Sequence, residues 1–312
     1  RHYFITLGIL LALLVVGACL DLNCSEVLFN ANPNFTSAIC ASNYMLIIYF
    51  FLCFLGLTLF LITIPKNCGW LTWGPFVIGI LLLGLSIYEY FKDLMEFGGS
   101  KYFNGTFENN IYGEAGMWIH NVVIFVALAV CVYLAYHFIF KKCDQQKVFA
   151  ATKIMVVIFV LELGLSVIFK YVWSRPRPWY VFSGFDGLKP EEIFRYVYQP
   201  QPFACLKTTG VVQSSWLKSF PSGHTGRATT TFASLIVLTT VFPKFDNRFT
   251  RTLLLYFATF FAIFVGFLRV LGGAHFLSDV MFGAIISITV CYFVPKFLES
   301  KKKIVFSNPE VK

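Results

Sequence analysis

Charge is what this sequence has least of. Of its 312 residues only 13% are Asp, Glu, Lys or Arg, and 57% are hydrophobic. An ordinary soluble domain carries roughly 25% charged residues. So few charges cannot clothe a water-facing surface on a chain of this length, and lipid is the main solvent expected. Acidic residues are the scarcer kind, 16 against 25 basic ones, for a formal charge of +9. The basic residues fall in short segments between apolar runs, without the basic stripe and interleaved aromatics of a nucleic-acid surface. A nucleic-acid partner is therefore set aside. The nine cysteines form no CxxC pair or other metal-ligand spacing. Cys53, Cys131 and Cys291 lie inside apolar runs and read as small buried side chains. Cys24 and Cys40 flank one short loop and are open to pairing if that side is oxidising. Internal repeats, low-complexity tracts and linkers to a second domain are also missing.

Long apolar runs are what the chain has in abundance. A helix needs about 20 mainly apolar residues to cross the hydrocarbon core. Eight stretches qualify: 3–20, 45–64, 74–91, 117–140, 152–173, 222–242, 252–271 and 277–298. The first contains Val16–Cys19, which resembles a lipoprotein cleavage site, but a retained helix fits the remaining spans better. The expected fold is all-α, a polytopic transmembrane helix bundle of about eight spans.

Loop charges alternate. Arg1, Lys66, the Lys141/Lys142/Lys147/Lys153 group, Lys244/Arg248/Arg251 and the tail with Lys296 and Lys301–Lys303 share one side. On the other side, residues 21–44 contain Asp21 and Glu26 but no Lys or Arg, and residues 92–116 carry Asp93, Glu96, Glu108 and Glu114 against only Lys92 and Lys101. Lys and Arg accumulate in cytoplasmic loops, so both termini are expected in the cytoplasm. Residues 174–221, polar, aromatic and Pro-containing, then form a long outward loop of the kind that is often functional.

Three clusters fall on that outward face. Lys170 to Pro178 ends the fifth run with Arg175 and Arg177; alone it reads equally well as basic side chains snorkelling to headgroups. Pro221-Ser222-Gly223-His224 opens the sixth run, where a helix N-terminus offers free N–H groups to an anion. Gly223 lets that backbone come close, and Ser222 adds a donor. A capped helix with an interfacial histidine is the plainer alternative. Third come Arg269, His275 and Asp279, with Gly272 and Gly273 expected to interrupt the seventh helix. On one continuous helix His275 and Asp279 would share a face. A carboxylate there can hold the imidazole's tautomer and leave the other ring nitrogen free to attack. Arg227 could reach the same anion, but an ion pair with Glu162 inside the membrane is the favoured reading.

Together these residues resemble the phosphatidic acid phosphatase type 2 superfamily, whose signature is Lys-x6-Arg-Pro, Pro-Ser-Gly-His and Ser-Arg-x5-His-x3-Asp. The matching positions are Lys170, Arg177 and Pro178, then Pro221–His224, then Arg269, His275 and Asp279; Leu268 departs from the signature serine. The resemblance covers roughly 152–298 and implies a six-helix catalytic core to which two spans are added. It implies that Lys170, Arg177, Ser222, Gly223 and Arg269 bind phosphate. His275 would be the nucleophile, His224 the acid and base, and Asp279 the stabiliser of His275. Protein cations then do what a metal often does in phosphoryl transfer, so no metal or other cofactor is expected.

The chain accordingly divides into N-terminal spans (1–150), a catalytic region (151–298) and a basic cytoplasmic tail (299–312). The function implied is hydrolysis of a lipid phosphomonoester or diphosphate, in a bacterial cytoplasmic membrane with the site outward. The partners expected are the phosphorylated lipid and the bilayer. A lipid phosphotransferase, a metal-dependent hydrolase using His224, His275 and Asp279, and a non-catalytic lipid transporter are the alternatives.

Overall fold

The computed structural model describes residues 2–31, 35–64, 77, 113–182, 187–207 and 214–300. The run read at 74–91, most of the second outward loop and the tail from residue 301 lie outside these residues, as does the side chain of Cys40; Cys24 is a free thiol. Among the described residues there are helices and no strand. They are α1 (His2–Ala31), α2 (Phe35–Thr63), α3 (Gly113–Phe138), α4 (Gln145–Trp173), α5 (Pro178–Phe182), α6 (Pro190–Ile193), α7 (Gly223–Thr230), α8 (Ala233–Val241), α9 (Arg248–Leu271) and α10 (Leu277–Ser300). Six of them (α1, α2, α3, α4, α9 and α10) are long and apolar enough to cross a membrane. The protein is an integral membrane helix bundle.

The core of the bundle is apolar and shared. Leu46 and Tyr49 of α2, Ile154 and Ile158 of α4, Val237 of α8 and Val290 of α10 are buried in one cluster. Helices α1 and α3 are peripheral and leave Val15, Ile119, Val122 and Val126 exposed, as side chains facing hydrocarbon should be. Two differences from the sequence reading matter for the site. The outward loop read at 21–44 is mostly helix, because α1 continues to Ala31 and α2 starts at Phe35. The run read as one span at 222–242 is two short helices, α7 and α8, broken at Thr231 and Phe232. Thr229, Thr230 and Thr231 each donate a hydroxyl to a carbonyl three or four residues back, at 2.7, 2.7 and 2.6 Å. Such back-bonding competes with the helix ladder and bends it.

The long loop is not structureless either. Trp179, Tyr180, Val181, Ile193, Phe194, Trp216 and Phe276 are buried together, giving the 174–221 segment its own aromatic core over one end of the bundle. The chain enters this cap through Ser174, in the left-handed region at φ 42°, where its hydroxyl donates to the Tyr171 carbonyl at 3.0 Å. It leaves α9 through Gly273 at φ 61°, a conformation that costs glycine little. Ala274 N–H and His275 N–H then both return to the Arg269 carbonyl. Gly272 and Gly273 therefore do interrupt the helix, as expected.

Close helix packing holds the cap's floor. A Cβ on Gly283 of α10 would stand 2.5 Å from the Ser222 carbonyl oxygen, a backbone atom that cannot swing away. Gly283→Ala should therefore destabilise the protein by about 1–3 kcal/mol, the usual cost of overpacking. The check is a lower thermal unfolding midpoint in detergent.

Candidate active site

Four helix ends meet under the cap. Lys170 lies in the last turn of α4 and Arg269 in the last turn of α9, while α7 and α10 begin there. Helix α7 packs against α4, α9 and α10, so the three sequence clusters converge in space.

His275 is held by a backbone group rather than by the expected carboxylate. It precedes α10 instead of lying on it. Its Nδ1 is 2.6 Å from the Ser219 carbonyl oxygen and 3.9 Å from Asp279 Oδ2. A carbonyl only accepts, so Nδ1 carries the hydrogen, and in the neutral ring Nε2 keeps its lone pair. Burial pushes the His275 imidazole well below the usual histidine range, and the positive charges of Arg177, Arg269 and Lys170 push it further; the Ser219 hydrogen bond opposes them. The ring is therefore neutral at neutral pH, surrounded by the three cations assigned to phosphate.

Asp279 acts one step away. Its Oδ2 accepts from the Ser219 hydroxyl at 2.5 Å and from the Phe276 backbone N–H at 2.9 Å. The second bond is the reach-back half of a capping box at the start of α10. One carboxylate thus fixes both the helix start and the residue whose carbonyl orients His275. Its Oδ1 accepts from Arg175 Nη1 at 2.6 Å.

The residues expected to bind phosphate line the same region. Ser222 caps α7, accepting from Thr225 N–H at 3.4 Å, and its own N–H donates to the Asp279 carbonyl at 3.0 Å. A Cβ at Gly223 would lie 3.4 Å from Lys170 Nζ and 4.0 Å from Arg227 Nη2, so the glycine keeps space for two cations. Arg177 donates to the Ser215 and Ala274 carbonyls at 3.0 and 3.2 Å, which ties the cap to the turn after α9. Arg227 and Glu162 act on each other as charges, as expected, but among the described residues they make no direct ion pair. The Glu162 carboxylate instead accepts from Ser166, one turn on, at 2.8 Å and rests against Gly226, while the Arg227 guanidinium reaches toward Gly223.

His224 is buried, and its Nε2 lies 2.8 Å from Asn43 Oδ1 of α2. Arg269 Nη1 donates to the same oxygen at 3.1 Å and to Ser42 Oγ at 3.2 Å. Sequence reading missed Ser42, Asn43 and Ser219. No motif marks the first two, and the third acts through its carbonyl.

Asp21 of α1 was missed as well, although a lone acid at the end of an apolar run is a signal. It accepts from Arg175 Nη2 at 2.9 Å and from Ser278 N–H at 3.1 Å, and Ser278 also gives it a hydroxyl hydrogen bond. Arg175 thus sits between two buried carboxylates, over the Phe276 ring at 4.3 Å. Removing one partner from a buried pair costs about 3–5 kcal/mol. Asp21→Ala should lower the unfolding midpoint sharply, and Asp21→Asn, which keeps an acceptor for Ser278 N–H, should lower it less.

Residues 151–303 match the family model described as PAP2 superfamily. No curated protein and no solved structure matches the chain. The match spans α4 to α10, all three clusters and the cap, so this region of the chain belongs to the PAP2 superfamily, a family of phosphatases.

Proposed function

We propose that the chain is a membrane lipid phosphatase working through a phosphohistidine on His275. The observation that carries this reading is the Ser219 carbonyl bound to His275 Nδ1, which leaves Nε2 as the nucleophile within reach of Lys170, Arg177 and Arg269. These cations, with Ser222 and the Gly223 N–H, neutralise the non-bridging oxygens of the substrate phosphate. His275 Nε2 forms a bond to phosphorus as the bond to the lipid oxygen breaks, and His224 delivers a proton to that oxygen. Water then gives its proton to His224 and attacks phosphorus. The P–N bond breaks, and its electron pair returns to His275. Asp279, tied to Ser219, steadies the positive ring through Ser219 and at longer range.

The substrate is an amphiphile such as a phosphatidate, a phosphatidylglycerol phosphate, a polyprenyl diphosphate or a lipid A phosphate. A site at the end of membrane helices favours a molecule that arrives from within the bilayer. Lys141, Lys142 and Lys147 before and at the start of α4, and Lys244, Arg248 and Arg251 around the start of α9, mark the opposite end of the bundle. By the positive-inside rule that end is cytoplasmic, which puts the site on the outer face of a bacterial cytoplasmic membrane. Residues 1–150 then buttress a catalytic region at 151–298, with 299–312 as a cytoplasmic tail.

A metal hydrolase built on His224, His275 and Asp279 fits less well. The Asp279 oxygens are engaged by Arg175, Ser219 and Phe276 N–H, and three further cations stand nearby. Detergent-purified protein should release phosphate from at least one member of a lipid phosphate panel, with activity unchanged by chelator and blocked by vanadate. His275→Ala should lose at least about 10³-fold in kcat while its fold is retained. Activity that disappears with chelator and returns with a divalent metal would contradict this reading.

A further inference from the structure

The N-terminal helices lie outside the family match, yet one of their side chains touches two residues of the site. Asn43 of α2 is fully buried, and its Oδ1 meets both Arg269 Nη1 and His224 Nε2. These contacts settle two assignments that coordinates alone leave open. A guanidinium only donates, so the amide atom facing Arg269 is the oxygen. An oxygen only accepts, so His224 Nε2 carries a hydrogen. The amide nitrogen of Asn43, on the far side of the group, is buried and makes no hydrogen bond among the described residues.

We propose that Asn43 is the positioning residue for acid–base catalysis by His224: it locks the ring with hydrogen on Nε2 and reserves Nδ1 for the proton that is exchanged with the leaving group and with water. The proposal rests on the phosphatase reading, in which His224 is the acid and base. Burial and the charges of Arg269, Arg227 and Lys170 hold the free His224 ring neutral, so Nδ1 takes up its proton when the substrate's negative phosphate offsets that field. With Nε2–H held by Asn43, the Nδ1 proton then passes to the departing lipid oxygen. Nδ1 then takes a proton from the attacking water, and Nε2 keeps its hydrogen throughout. Because the same oxygen holds Arg269, the acid and one phosphate cation are set by one amide. His275 has the opposite pattern, hydrogen on Nδ1 and a lone pair on Nε2. The two histidines therefore work through different ring nitrogens, each fixed by a neutral oxygen. A carboxylate at position 43 would also hold Nε2–H, but its negative charge would repel the phosphate that Arg269 attracts. An amide satisfies both demands.

Two experiments test this on the full-length protein in detergent. The first compares leaving groups. An alkyl lipid phosphate needs its departing oxygen protonated, whereas p-nitrophenyl phosphate departs readily without an acid. Asn43→Ala should lower kcat/KM for both substrates, because Arg269 loses a partner, but for phosphatidate by about 10²-fold more than for p-nitrophenyl phosphate, within the range that general acid catalysis supplies. Equal losses on both substrates, or none on either, would overturn the proposal. A residue that only supported the fold would lower both together.

The second experiment does not depend on activity. Proton–nitrogen correlation spectra of protein labelled with nitrogen-15 in histidine should show His224 with hydrogen on Nε2 and His275 with hydrogen on Nδ1. Asn43→Asp should keep the His224 pattern and Asn43→Ala should lose it. A wild-type His224 carrying its hydrogen on Nδ1 alone would overturn the proposal even if the phosphatase reading stood. Wild type without activity on any phosphate, but with these tautomers, would instead count against the phosphatase reading and leave the Asn43 lock supported.

Discussion

The hydrogen bond from His275 Nδ1 to the Ser219 carbonyl is the constraint around which the rest of this structure is arranged. A backbone carbonyl can orient an imidazole only if its own segment is fixed, and three anchors fix this one. Ser219 N–H donates to the Arg175 carbonyl, its hydroxyl donates to Asp279, and Phe220 behind it packs against Trp173 and Phe282. Asp279 in turn is held by the start of α10 and by Arg175, and Arg175 by Asp21. A neutral acceptor beside the ring has a chemical consequence. It fixes the tautomer without cancelling the positive field of Lys170, Arg177 and Arg269, which a phosphate dianion would need and which, after burial, keeps the imidazole unprotonated.

Buried charge in this protein is therefore shared rather than paired off singly. Arg175 bridges two carboxylates and lies over an aromatic ring, so its desolvation is offset from several directions. The result joins α1, α4, the cap and α10 through one guanidinium. In the same way Asn43 and Ser42 join α2 to Arg269 of α9. Helices that contribute nothing to the family match thus close the site from its other side. The tight approach of Gly17 to Ser278, where a Cβ would stand 2.8 Å from the backbone nitrogen, brings α1 near enough for this.

Sequence reading went far toward the candidate site because that site is built from spaced clusters of rare residue types. In a chain with five histidines and 13% charge, Lys170, Arg177, His224, Arg269, His275 and Asp279 stand out, and the structure brings them to one end of the bundle. The α-helical bundle was legible for the same reason, from apolar run length. What escaped was what side-chain identity does not encode. The orienting group of His275 is a main-chain atom of Ser219. Asn43 and Asp21 are separated in sequence from their partners by 181 and 257 residues, and only packing brings them close. The break between α7 and α8 was hidden because consecutive threonines read as mildly polar helix residues until their hydroxyls are seen on the carbonyls behind them. Arg227 and Glu162 do act on each other as charges, but without a direct bond: Ser166 holds one carboxylate oxygen, and the other has no hydrogen-bond partner among the described residues.

The central claim is that His275 attacks through Nε2 because Nδ1 is committed to Ser219. It is tested most directly by rapid acid-free quenching of the wild-type enzyme during turnover of a labelled substrate, followed by identification of the phosphorylated residue and ring nitrogen. The account predicts phosphate on His275, attached at Nε2. Phosphate attached at Nδ1 of His275, or on any other residue, would contradict it.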